Sequence, residues 1–264
     1  SWILSAAVAH IAQAASDRAS TEQVAAQLVA SVAAVHPGSE IYLGLHQQII
    51  PHWHTYWVNP GDSGNATTIA WSLPEGATAS EIYWPIPSRF SLGPITNYGY
   101  ENSVTLLTKI SVPAQLQPGD QFTAAALVDW LVCEEECIPQ QVALELSLPV
   151  VGSSESTGQG SPLIEQASAQ LPVASPYKIS AHQAQVDATS GQTQLRLTLG
   201  LPAAQIPQVS DIWFYPYDWG RIQQSAPQRV TTTSQGLELV IEEGEAPLSP
   251  GQSLTGVLVI QEQV

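Results

Sequence analysis

From Thr21 onward the apolar positions recur every second residue, the period of a strand with one face on a core. Ile41, Leu43 and Leu45 alternate with Tyr42, Gly44 and His46 behind a Pro37-Gly38 turn. HWHTYWV (52–58) is an aromatic and β-branched run that stops at the turn formers NPGDSG (59–64). The same reading predicts strands over 68–73, 80–84, 103–112, 121–131 and 141–148, separated by breakers such as LPEG (73–76) and LQPGD (116–120). Later in the chain it predicts strands over 192–201, 210–217, 235–243 and 252–260. Helix is expected only near the N-terminus and over 162–171. Short strands at this spacing, with 20 prolines and 18 glycines, read as an all-β sandwich architecture.

VGSSESTGQGSP (151–162) has no hydrophobic period and divides the chain. The expected organisation is a first domain over 21–150, a Ser/Gly linker over 151–164 and a second domain over 165–264. The two parts echo each other. EIYWPIP (81–87) resembles DIWFYPY (211–217), and LQPGDQFTAAALV (116–128) resembles LSPGQSLTGVLVI (248–260). Two immunoglobulin-like β-sandwiches in tandem is the economical reading, the second without cysteines. The opening SWILSAAVAHIAQAAS, within residues 1–20, is apolar and Ala-rich and contains Ala12-Gln13-Ala14. It reads either as the remnant of a secretory signal or as a short helix. In the first case the protein works in an oxidising, extracytoplasmic compartment, where two nearby cysteines can pair.

Composition narrows the chemistry. The 264 residues are 44% hydrophobic, enough for two packed cores, and carry 23 Asp and Glu against 7 Lys and Arg, a net charge of -16. So acidic a chain is a poor ligand for nucleic acid or an anionic membrane surface, both of which need a basic face. No run of about 18 apolar residues is present to span a bilayer.

The chemistry concentrates in ALVDWLVCEEECIPQQVALELSL (126–148), which holds the chain's two cysteines, Cys133 and Cys137. A strand runs into the pair and another (Val142, Leu144, Leu146, Leu148) runs out, so the pair lies at the tip of a hairpin. A bridge there would enclose only three residues and remove little unfolded-chain entropy, which makes it a weak structural staple. Glu134, Glu135 and Glu136 disfavour a nearby thiolate, unlike the helix N-terminus that activates thioredoxin-like motifs. Such a couple suits a reductant better than a strong oxidant. A structural clip and a metal site remain alternatives. His52 and His54, two apart in a predicted strand and so on one face, could join the two thiolates around copper or zinc. A hydrolase is a poor fit, because no G-x-S-x-G elbow occurs and DSG (62–64) reads as a turn. Trp213, Tyr215, Tyr217 and Trp219 form an aromatic run that serves as core or as a partner surface.

Three stretches carry a family likeness: HWHTYWVNPGDSGNATTIAWSLPEG, YWPIPSRFSLGPITNYGYENSVTL and VDWLVCEEECIPQQVALELSLP. Together, over 27–150, they resemble the N-terminal periplasmic region of the DsbD/ScsB family of bacterial thiol:disulfide interchange proteins. The Trp-Leu-Val-Cys run looks more like the ScsB, suppressor-of-copper-sensitivity, branch. The resemblance implies a periplasmic electron relay. A membrane-embedded thiol domain and a thioredoxin-like domain of the same protein would supply electrons, and periplasmic thioredoxin-fold proteins would receive them. It implies that Cys133 and Cys137 are the redox pair, with Cys137 forming the mixed disulfide and Cys133 resolving it, and that no cofactor is needed. Trp130, the three glutamates and Pro139 flank that pair. The family's aromatic-tipped cap loop matches ITNYGYE (95–101), with Asn97, Tyr98 and Tyr100 as the shielding residues.

Overall fold

The computed structural model of the chain describes residues 16–186, 193–200, 209–234, 236–249 and 252–262. The Ala-rich start up to residue 15, and with it the choice between signal remnant and helix, lies outside the described residues. The first strands, in chain order, are β1 (Arg18–Ser20), β2 (Val24–Ala30), β3 (Glu40–Ile49), β4 (His54–Gly61), β5 (Thr68–Ser72) and β6 (Thr78–Tyr83). Then come β7 (Ser88–Leu92), β8 (Ile95–Glu101), β9 (Ser103–Ser111), β10 (Gln121–Cys133) and β11 (Cys137–Pro149). They form two sheets, ordered β1-β2-β3-β9-β6 and β11-β10-β4-β8-β7, with β5 paired to β10 as well. The alternation seen in the sequence is what closes this sandwich. Ile41 and Leu43 of β3 share a core cluster with Phe122 and Ala124 of β10, and Leu45 shares one with Ala126, Val128, Trp130 and Val132. Each large apolar side chain so buried stabilises the fold by roughly 1.5–3 kcal/mol.

The Ser/Gly segment is strapped to this sandwich. The amides of Ala33 and Ala34 both donate to Thr157 O, and Ser161 N donates to Ala30 O at 2.8 Å. The predicted helix forms as α1 (Pro162–Ser168), with Ser161 accepting at its N-cap and Pro162 in its first turn. Ile164 and Ala167 bury its apolar side against Val29 and Leu107 of the first sheet. Among the described residues no helix is long and apolar enough to cross a membrane.

The second sandwich contains β12 (Lys178–Val186), β13 (Thr193–Gly200), β14 (Val209–Pro216), β15 (Arg229–Thr233), β16 (Gly236–Glu242) and β17 (Gly256–Glu262). Its sheets are β12-β13-β16-β15 and β14-β17, around a core that includes Leu197, Phe214, Ile222 and Leu239. The internal echo holds only in part. β14 pairs with β17, whereas β6, its counterpart by sequence, pairs with β9. It is β5 that pairs with β10 in the first sandwich, as Ala126↔Trp71. Alternating aromatic and β-branched residues mark a strand but not its neighbour, so the likeness of EIYWPIP to DIWFYPY is one of strand type.

The aromatic run divides by parity. Ile212 and Phe214 enter the core of their own sandwich, while Tyr215, with Trp213 against it, joins the core of the first. Tyr215 sits edge-on to Tyr98 at 4.9 Å and to Trp57 at 6.2 Å, and Tyr217 lies 5.3 Å from Trp57. Asn59 Nδ2 donates to Pro216 O at 2.8 Å in a buried position. The partner surface of this run is therefore the first sandwich.

Candidate functional site

β10 and β11 pair along their whole length, and the final rung is Cys133↔Cys137. The two cysteines are bonded to each other across that rung, Cα to Cα 4.2 Å. The strands run farther than the alternation alone predicts, so the cysteines are strand ends and only Glu134, Glu135 and Glu136 make the loop. All three glutamates are exposed, and Glu134 N donates to Glu136 O at 3.2 Å. The hairpin's root is fixed by polar bonds. Trp130 Nε1 donates to Gln140 Oε1 at 2.9 Å, Thr21 Oγ1 donates to the same oxygen, and Gln140 Nε2 donates to Gln23 Oε1. Trp130 is thus a buried anchor behind the disulfide. Pro139, opposite Leu131, is exposed and lines a shallow groove with it.

The two sulfur-bearing residues differ sharply in access. Cys133 is 1% exposed, whereas Cys137 is exposed. What buries Cys133 is the start of β4. His54 is its cross-strand partner, and side chains paired this way lie on one face of a sheet. Tyr56, two residues on, shares that face, and its hydroxyl lies 3.6 Å from Cys137 Sγ. The His54 ring stacks on Phe90 at 4.8 Å and meets Tyr56 edge-on at 5.1 Å. Two rings therefore border the disulfide, His54 and Tyr56, and Phe90 backs the His54 ring. Burial lowers the His54 pKa, so its imidazole is held neutral, and its Nε2 has no hydrogen-bond partner. Burial pushes the Tyr56 hydroxyl up, against a smaller opposing effect from Ser63.

Local backbone choices seat these rings. β7 and β8 form a hairpin whose last pair is Leu92↔Ile95, leaving Gly93-Pro94 as a two-residue turn with Gly93 at φ 62. β8 presses so closely on β4 that a Cβ at Gly99 would fall 1.9 Å from Thr55 O. Just past the end of β4, a Cβ at Gly64 (φ +101) would fall 2.2 Å from the Tyr56 ring, and the strand itself runs through Asn59 and Pro60 to Gly61, farther than the turn formers predict. These glycines make room for β8 against β4 and for the Tyr56 ring.

The residues expected to shield the pair, over 95–101, lie in a strand with their tyrosines buried. This stretch is β8, a strand between β4 and β7 and not a loop. Tyr98 is fully buried against Tyr215, and Tyr100 is buried with its hydroxyl donating to Pro85 O at 2.8 Å. Asn97 Oδ1 accepts from Ser63 N and Ser63 Oγ, each at 3.1 Å. His54 and Tyr56 of β4 border the disulfide, and the ring stacked on His54 is Phe90 of the neighbouring strand β7. The signal for it is FSLGPIT, a Gly-Pro turn between apolar flanks. The His52–His54 pairing also fails. His52 lies in the turn before β4, at φ 75, so the two imidazoles do not share a strand face. Among the described residues no group of three or more His, Cys, Asp or Glu is placed to hold a metal.

Residues 21–149 match the family model described as thiol:disulfide interchange protein DsbD, N-terminal. The fold is similar to the crystal structure of the N-terminal periplasmic domain of ScsB from Proteus mirabilis, with a TM-score of 0.62 at 19% identity over 92% of each chain. That likeness spans both sandwiches. No curated protein matches the chain.

Proposed function

Since residues 21–149 belong to the family of the DsbD N-terminal region, we propose that the chain is a periplasmic thiol–disulfide exchange module whose Cys133–Cys137 couple passes electrons to thioredoxin-fold partners. The observation that carries this reading is the unequal access of the two cysteines. Exchange proceeds through a mixed disulfide on one sulfur, while the other must wait out of reach of competing thiols. Cys137 is exposed and Cys133 is enclosed, which is that division of labour.

The steps balance without a cofactor. In the reduced module, the Cys137 thiolate attacks one sulfur of the partner's disulfide, and the partner's other sulfur leaves as a thiolate that takes up a proton. The Cys133 thiol loses its proton and attacks Cys137 Sγ, releasing the partner as a dithiol and restoring the Cys133–Cys137 bond. Two electrons have then moved from module to partner. A dithiol upstream, in a membrane-embedded domain and a thioredoxin-like domain of the same protein, regenerates the couple by the reverse sequence. Glu134, Glu135 and Glu136 disfavour a standing thiolate, which limits reaction with adventitious disulfides.

Single-cysteine variants test the assignment. With an aromatic disulfide reagent, Cys133→Ser should expose a Cys137 thiol that reacts at least about tenfold faster than the Cys133 thiol left in Cys137→Ser. Equal rates, or a faster Cys133, would overturn the roles.

A further inference from the structure

We infer that the Tyr56 hydroxyl is a catalytic group of the exchange reaction, donating a hydrogen bond to the Cys137 sulfur and stabilising the thiolate that attacks the partner. The inference rests on the exchange reading for its role, while the contact stands by itself. Tyr56 Oη lies 3.6 Å from Cys137 Sγ, the sulfur of the exposed cysteine. A disulfide sulfur carries no proton, so the hydroxyl is the donor. The ring that delivers it is fixed. Tyr56 is 1% exposed, meets the His54 ring edge-on at 5.1 Å, and lies against the Gly64 backbone, where a Cβ would fall 2.2 Å from it. A donor already held in place needs no further ordering when charge develops on the sulfur.

The bond is weak in one state of the couple and strong in the other. A disulfide or thiol sulfur is a poor acceptor, whereas a thiolate is a charged one. Ser63 also hydrogen-bonds the Tyr56 hydroxyl, and its own hydroxyl lies 3.1 Å from Asn97 Oδ1. Against a neutral sulfur, Ser63 competes for the phenol. When the Cys137 S–H bond breaks and its proton passes to solvent, the phenol favours the thiolate. It keeps its own proton, because burial pushes the Tyr56 hydroxyl up, so it acts as a donor and not as an acid. The sulfur's electron pair then attacks the partner's disulfide as described above. The hydroxyl thus offsets the glutamates. Glu134, Glu135 and Glu136 oppose the thiolate from exposed positions, where salt screens them, while Tyr56 supports it from a buried one. A couple fenced by acid keeps a usable nucleophile on Cys137.

The test uses the whole chain with Cys133→Ser, with and without Tyr56→Phe, which keeps the ring and its packing. The reaction of Cys137 with a neutral dipyridyl disulfide is followed from about pH 6.5 to about 10.5. A hydrogen bond to a charged acceptor changes the thiolate fraction about tenfold below the titration midpoint, and the lower nucleophilicity of the less basic sulfur offsets about threefold of that. Tyr56→Phe should therefore move the midpoint upward, slow the reaction about threefold near about pH 7 and speed it about threefold on the alkaline plateau, so the two profiles cross. Burial holds His54 neutral here, and Glu101, its partner across β8, and the three tip glutamates are common to both proteins, so their fields cancel in the comparison. A merely structural role would change the rate by one factor at every pH. Profiles of that kind, or a midpoint that stays in place or moves down, would overturn the assignment. A reduction potential of the structural kind would sink the exchange reading, while these profiles still judge the hydroxyl.

Discussion

The two sandwiches use their aromatic side chains for different ends. In the first, His54 and Tyr56 border a disulfide at the end of a hairpin, with Phe90 stacked on His54. In the second, Trp213, Tyr215 and Tyr217 take alternate positions from β14 onward and lie against the first sandwich, leaving Ile212 and Phe214 to fill their own core. One sandwich thus carries the disulfide, and the other carries the aromatic face that packs on its neighbour. Tandem copies of a fold need not be tandem copies of a function: one covalent bond and one strand's parity separate these two.

The strongest way to break that division is to remove the bond. Cys133→Ser or Cys137→Ser should abolish multi-turnover reduction of a disulfide-bonded thioredoxin-fold protein. The loop closed is so short that loss of the bridge should cost only about 2 kcal/mol of stability, leaving the sandwich folded. A variant that retains turnover would assign the electrons elsewhere. The contact comes next. Tyr215→Ala removes a buried ring that two first-sandwich aromatics pack on, and should lower stability by about 3 kcal/mol in urea unfolding. A loss below about 1 kcal/mol would mean that the sandwiches are held together by something other than this strand.

A smaller effect comes from acid. Burial depresses the pKa of both His46 and His54 below the ordinary 6.5, so the unfolded chain takes up more protons as the pH falls. Stability is then full above about pH 6.5 and declines below it, and thermal unfolding between about pH 7.5 and 5.5 should show the midpoint falling. His54→Asn should flatten part of that decline, His46 providing the rest. A midpoint that rises on acidification would contradict the buried, neutral imidazole beside the disulfide. The smallest effect belongs to the acidic tip. Changing Glu134, Glu135 and Glu136 together to Gln should alter stability by under about 0.5 kcal/mol, since all three are exposed. The same change should speed reaction with the anionic thiol glutathione about two- to threefold relative to a neutral thiol, an advantage that added salt should erase.

The disulfide hairpin is legible in the sequence because its alternation is strict. Phe122, Ala124, Ala126, Val128, Trp130 and Val132 all face the core, so the register follows from one face and places Cys133 and Cys137 together. The hairpin of β7 and β8 is not legible, for the opposite reason. The β7–β8 hairpin carries Ser88, Ser91, Gly93, Pro94, Asn97 and Gly99, a loop-like composition, and its strand character comes from β8 pairing with β4 and β7 pairing with β8. Tyr98 and Tyr100 therefore stand out in the sequence although their rings serve the core, while Phe90, which stacks on His54, does not. The role of β14 is half legible: its parity is in the sequence, but which domain each face meets depends on docking that no local pattern encodes.

The most direct measurement is the reduction potential of the Cys133–Cys137 couple, by equilibration of the whole chain in dithiol buffers and alkylation mass spectrometry. An exchange module should give a value between about -180 and -270 mV, within the span of known thiol–disulfide exchange proteins. A value well below about -300 mV would mark a structural disulfide and contradict the proposed electron transfer.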